Sequence, residues 1–102
     1  MKRGVLLTLT VPLALAASAV CAQGADLQAR AWAASCAACH GTNGKSLGGI
    51  ASIAGLDKQQ LLDKLLAYKN GTLPATVMHQ HARGYTDAEL ARLADHFSRQ
   101  PR

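Results

Sequence analysis

Cys36-Ala37-Ala38-Cys39-His40 is the stretch around which the rest of the 102-residue chain is organised. On one turn of helix, positions i, i+3 and i+4 fall on the same face, so two thiols and an imidazole can address one flat object from one side. Two cysteines spaced in this way and followed at once by a histidine form the attachment sequence for a covalent haem. The thiols of Cys36 and Cys39 would add to the two vinyl groups of the porphyrin, and His40 would ligate the iron on the proximal side.

Three other chemistries use a similar pair of cysteines. A thioredoxin-type redox pair requires a βαβ setting, and nothing near residue 36 reads as a strand. A structural zinc site needs a second pair of ligands, and no cysteine follows Cys39. A plain disulfide fits an oxidising compartment but gives no reason for a histidine at the next position. Covalent haem accounts for all three residues.

Upstream, Lys2 and Arg3 precede an apolar run from Val5 to Ala17, and small residues lead to Val20-Cys21-Ala22 before Gln23. This pattern reads as a secretory signal peptide over residues 1–22, with export to the periplasm. An uncleaved anchor is the competing reading, and Pro12, the threonines and the small-residue exit speak against it. A lipidated Cys21 is disfavoured too, because Ser18-Ala19-Val20 lacks the leucine and the small residue expected immediately before such a cysteine.

The remaining segment, 23–102, is then one small domain whose two cysteines are both used by the motif. A chain this short buries too small a fraction of its surface to be comfortably stable without a metal, a cofactor or disulfides. Setting Lys2 and Arg3 aside leaves nine basic residues against six acids, a net charge of +3 with histidines neutral. That mild excess suits an acidic protein partner. Nucleic-acid binding would want a basic stripe interleaved with stacking aromatics, and the aromatics are only Trp32, Tyr68, Tyr85 and Phe97. No internal repeat appears, and a single motif implies a single haem.

The pattern predicts an all-α domain of three main helices with loops wrapped around the haem. A first helix is expected from an N-cap at Asp26 through Leu27, Ala31 and Ala34 into the motif, stopping at Gly41. Five glycines between Gly41 and Gly55 predict a loop along one edge of the haem. Asp57 and Gln60 have the spacing of a capping box, ahead of Leu61, Leu62, Leu65 and Leu66 at helical spacing, and Asn70-Gly71 supplies a left-handed stop. Thr86 and Glu89 form a second capping box, followed by Leu90, Leu93, Ala94 and Phe97 at i, i+3, i+4 and i+7. This last helix should cross the first near Leu27, Ala31 and Ala34. His96 falls on its polar side and is given no role.

The connection from Gly71 to Tyr85 is long for so small a domain, which points to function. It carries Met78, the one methionine left after signal cleavage, behind Pro74-Ala75-Thr76-Val77, an extended lead able to lay the thioether against the open face of the iron. His and Met are an established axial pair that raises the reduction potential. His79 and His81 stand beside it and offer a bis-histidine alternative.

With these residues in view, the chain resembles the class I c-type cytochromes from Ala33-Ala34-Ser35-Cys36 to Phe97. More narrowly, Tyr68-Lys69-Asn70-Gly71, Pro74-Ala75-Thr76-Val77-Met78 and Gly84-Tyr85-Thr86-Asp87 are similar to the cytochrome subunits of flavocytochrome c sulfide dehydrogenases. The resemblance implies haem c on Cys36 and Cys39, with His40 and Met78 as axial ligands to its iron. Such cytochromes usually carry a proline where this chain reads Gly49-Ile50-Ala51-Ser52, and that residue's carbonyl orients the proximal histidine. Ala51 keeps the carbonyl.

The expected activity is single-electron transfer. With both axial positions filled, no substrate reaches the iron, so the chain would be an electron carrier and not itself an enzyme. The resemblance implies a sulfide-oxidising flavoprotein as the electron donor, with this chain as its haem subunit or partner. The alternative is a free periplasmic carrier between a dehydrogenase and a terminal oxidase.

Overall fold

The computed structural model describes residues 19–102, with side chains from Leu27 onward. The segment read as a signal peptide therefore lies almost wholly outside the described residues. What is described is all-helical: α1 (Ala19–His40), a single 3₁₀ turn (Thr42–Gly44), α2 (Lys58–Asn70), α3 (Met78–Arg83) and α4 (Asp87–Ser98), with no strand among the described residues.

α1 begins at Ala19, upstream of the expected start, so Asp26 lies inside the helix and does not cap it. The run before Asp26 holds no proline, and its alanines carry the helix through Gly24. α1 crosses α4 as expected, but on a different face. Ala29 and Ala33 are buried with Trp32 and Cys36 packed beside them, whereas Leu27, Ala31 and Ala34 face outward. Ala33, at 3 % exposure, lets α4 approach closely.

α2 starts where its cap predicts: Asp57 Oδ1 accepts from the Gln60 backbone N–H at 3.0 Å. It ends at Gly71, whose φ of 76° is the left-handed conformation that closes helices without a Cβ penalty. α4 carries the full reciprocal cap. The Thr86 hydroxyl accepts from Glu89 N–H at 3.2 Å, and the Glu89 carboxylate accepts from Thr86 N–H at 2.8 Å. Its apolar stripe is buried as read from the sequence, with Leu90 and Ala94 at 0 %, Leu93 at 3 % and Phe97 at 4 % exposure.

The long connection before α4 is not wholly a loop. Met78 opens α3, whose first turn is closed by Gln80 and His81 N–H groups donating to the Val77 carbonyl. Buried Ala82 seats α3 against α2. Lys69 Nζ bonds Asp87 Oδ1 at 2.7 Å, tying the end of α2 to the start of α4 around it. The resulting core joins Ala33 of α1, Leu61 of α2 and the four α4 residues, with Ile53, Leu56, Leu65 and Tyr85 packed on its margin. At about 1.5–3 kcal/mol for each fully buried large apolar side chain, a core of this size is modest. Among the described residues, no helix is long and apolar enough to cross a membrane.

Candidate haem site

The last turn of α1 places Cys36, Cys39 and His40 together, Cys36 half-buried and Cys39 exposed. Beyond Gly41 the chain doubles back. The Gly44 carbonyl accepts from both Ile53 N–H, at 2.8 Å, and Ala54 N–H, at 3.1 Å, closing residues 45–52 into a loop. Ser46 and Ser52 brace that loop internally, with Ser46 N–H donating to Ser52 Oγ at 2.8 Å. At its far end Gly55 N–H donates to the Phe97 carbonyl of α4 at 2.9 Å, and Arg102 Nε donates to the Gly55 carbonyl at 3.0 Å.

The purpose of this bracing shows at His40. Its Nδ1 lies 2.6 Å from the Ala51 carbonyl oxygen. A carbonyl can only accept, so Nδ1 carries the hydrogen and Nε2 keeps a free lone pair, the tautomer that binds a metal. Ala51 thus presents to His40 the carbonyl that the resemblance implies at this place.

Beside His40 opens a cavity of about 220 Å³ lined by Cys36, Ile53, Leu56, Leu61, Leu65 and Phe97 among its apolar walls, with Met78 also on its wall. α1 supplies the cysteine and imidazole, α2 and α4 the floor, and the first residue of α3 the thioether. A smaller recess shares Cys36 and His40 and adds Cys39, Val77, His81 and Tyr85. His81 therefore lies on the side of the exposed cysteine, and His79 lines neither space; its Nδ1 is buried without a hydrogen-bond partner. Of the three candidates for a second ligand, Met78 is the one that shares the main cavity with His40.

The donor set suits haem iron and not a metal held by protein alone. Among the described residues no three His, Cys, Asp or Glu side chains gather closely enough to hold a metal ion. One imidazole, one thioether and two unjoined thiols around an apolar slot are what a porphyrin would complete. Burial pushes the Cys36 thiol above its ordinary value, more than the neighbouring Ser35 hydroxyl lowers it. A redox-active cysteine pair needs the reverse, a stabilised thiolate.

A cytochrome c family model matches residues 25–98, well over half of the chain. The chain belongs to the cytochrome c family. The matched region runs from within α1 to the last residue of α4, so it takes in every wall of the cavity. As a cytochrome c, the protein is an electron carrier. It is also similar to the cytochrome subunit of sulfide dehydrogenase from Chlorobaculum tepidum, with 44 % identity over 63 residues, covering 62 % of this chain and 57 % of that protein. The matched stretch thus spans little more than half the length of that relative.

The sequence reading gave Lys64 and Tyr68 no place at the site. Both also line the cavity. The leucine spacing picks out Leu61 and Leu65, and the same face continued to i+3 and i+7 reaches Lys64 and Tyr68.

Proposed function

We propose that Cys36 and Cys39 hold one haem c covalently, that His40 and Met78 ligate its iron, and that the protein works in the periplasm as the electron acceptor of a sulfide-oxidising flavoprotein, as its haem subunit or its partner. The single observation that carries the haem assignment is that His40, in the metal-binding tautomer, and Met78, from a distant part of the chain, line one apolar cavity that begins at Cys36. When bound, the haem supplies a one-electron Fe(III)/Fe(II) couple. With it bound, the chain's own residues would set its conditions: Ala51 would fix the imidazole, the α2 and α4 side chains would keep water out, and the soft Met78 sulfur would favour the reduced iron. Export fits the apolar run behind Lys2 and Arg3, and the oxidising compartment fits a chain that spends its thiols on a cofactor.

The flavoprotein partner is supported by the similarity to the Chlorobaculum tepidum subunit and by the surface beside the cavity. Val77, 52 % exposed, sits at the recess with Cys39, and Leu47 and Ile50 stand exposed in the loop leading to Ala51. Apolar groups of this kind next to a redox centre suit a partner that docks close to it.

The test has two arms. Protein matured with a cytochrome c assembly system should retain haem after acid extraction, and its mass should exceed that of the bare chain; a bare mass refutes the attachment. Chromatography of the native protein from its source, at low and high salt, should show flavin eluting with the haem peak. A flavin-free monomer at both salts, reduced at a rate independent of ionic strength, refutes the flavoprotein partner and leaves the free carrier.

A further inference from the structure

The cavity wall is apolar except at four residues besides the cysteine, namely His40, Ser52, Lys64 and Tyr68. His40 is held by Ala51, and the Ser52 hydroxyl accepts from Ser46 N–H. Lys64 and Tyr68 are different. They stand four residues apart on α2, hence on one face, framed by Leu61 and Leu65 of the same stripe. Neither side chain makes an ion pair or a hydrogen bond among the described residues, and no acid occupies the positions three or four away from Lys64.

The other lysines among the described residues are engaged: Lys58 with Asp95 at 3.2 Å, Lys69 with Asp87 at 2.7 Å, and Lys45 with the Arg102 carbonyl at 3.3 Å. An ammonium and a phenol set side by side on the rim of an apolar slot form a receptor for a carboxylate, one giving charge and the other a hydrogen bond. A haem carries two propionate carboxylates at one edge, and that edge must meet groups of this kind or lie in water.

We propose that Lys64 and Tyr68 receive a haem propionate and that Lys64 thereby sets the reduction potential. This rests on the haem assignment above. A cation paired with the propionate offsets its negative charge, which otherwise favours ferric over ferrous iron. Lys64 acts as a positioning and tuning residue for the electron-transfer step.

The experiment is spectroelectrochemical titration of the matured protein and of Lys64→Gln, Lys64→Arg, Tyr68→Phe and Lys58→Gln. The last removes one positive charge from the same helix outside the cavity. Lys64→Gln should shift the one-electron equilibrium toward ferric iron about threefold to tenfold, tenfold corresponding to about 59 mV. Lys58→Gln should shift it by much less, Lys64→Arg should restore most of the difference, and Tyr68→Phe should move it in the same direction as Lys64→Gln. Resonance Raman propionate-bending bands should change in Lys64→Gln and Tyr68→Phe but not in Lys58→Gln. Equal shifts in Lys64→Gln and Lys58→Gln, or unchanged propionate bands in a variant that keeps its haem, overturn the proposal. Absence of covalent haem from the parent protein overturns the haem assignment itself, so the two failures are separable.

Discussion

Gly44 is the position at which the smallest substitution should do the most damage. Its φ is +80°, and a Cβ built there would lie 2.8 Å from Ile53 Cγ1 and 2.8 Å from Phe97 Cδ1, closer than real contacts allow. Alanine in the left-handed region costs about 1–2 kcal/mol in backbone strain alone. Forcing a methyl between two packed side chains adds about 1–3 kcal/mol, because Phe97 is 4 % exposed and has little room to move. The expected loss for Gly44→Ala is therefore about 2–5 kcal/mol. Gly49 is the internal control, with the same φ of +80° and nothing within 4 Å of its Cβ position. Gly49→Ala should show the strain without the clash, about 1–2 kcal/mol.

Guanidinium and thermal unfolding of both variants, followed at Trp32, separates the two contributions. Gly44→Ala should melt about 5–20 °C below Gly49→Ala, at about 4–8 °C per kcal/mol for a domain of this size. The damage should also reach His40, since the Gly44 carbonyl anchors Ile53 and Ala54 at the base of the loop that carries Ala51. Coincident midpoints for the two variants would refute the packing account of Gly44.

Further expectations concern the helix ends and the acid limb of stability. Thr86→Ala removes one half of the α4 capping box and should cost about 1 kcal/mol by chemical denaturation, with Thr86→Ser recovering most of it. At Asp95, partial desolvation pulls the carboxyl upward, but Lys58 and Arg99 outweigh it and hold it below the usual carboxylate value. A carboxylate depressed by folding stabilises the native state fully above its unfolded value of about 3.9, and the benefit disappears as pH falls through its folded value. Asp95→Asn should therefore lower stability by about 0.5 kcal/mol at pH 7, with the gap to the parent closing below about pH 4 in denaturation curves across pH.

The parts of the fold that could be read from the sequence are those where two independent signals coincide. α4 has a capping box immediately ahead of a leucine stripe, and both are observed. α2 has an acidic cap, a leucine stripe and a glycine stop, also observed. The inward face of α1 could not be read in the same way, because Ala29, Ala31, Ala33 and Ala34 offer no contrast between one face and another. α3 is six residues long and its N-cap, Val77, provides no side-chain bond, so neither periodicity nor capping announces it.

The same distinction applies to the site. Spacing on one helical turn singles out Cys36, Cys39 and His40 as candidates, and Met78 stands out as the one methionine in a long connection. Lys64 and Tyr68 were hidden inside what reads as a plain amphipathic helix. Their place on the cavity wall depends on how α2 lies against α4, which no local pattern encodes.

The two sides of the cavity differ in how they are secured. His40 is tied through Ala51 to a loop stitched at both ends, to Gly44 and to Phe97. Met78 instead opens a short helix fixed at its rear by Ala82 and by Arg83 Nε donating to the Lys69 carbonyl at 3.5 Å, while Pro74, Ala75, Thr76 and Val77 ahead of it all face solvent. Opening confined to residues 74–77 frees no buried side chain and leaves the α1–α4 crossing untouched, so it is a low-energy local excursion, while α3 behind them stays seated on α2. Opening the imidazole side must break the bond from His40 to Ala51 or the loop's ties to Gly44 and Phe97. With haem bound, a small external ligand such as cyanide would therefore gain entry from the Met78 side, at a rate set by the lifting of residues 74–77 and insensitive to mutations that change global stability alone.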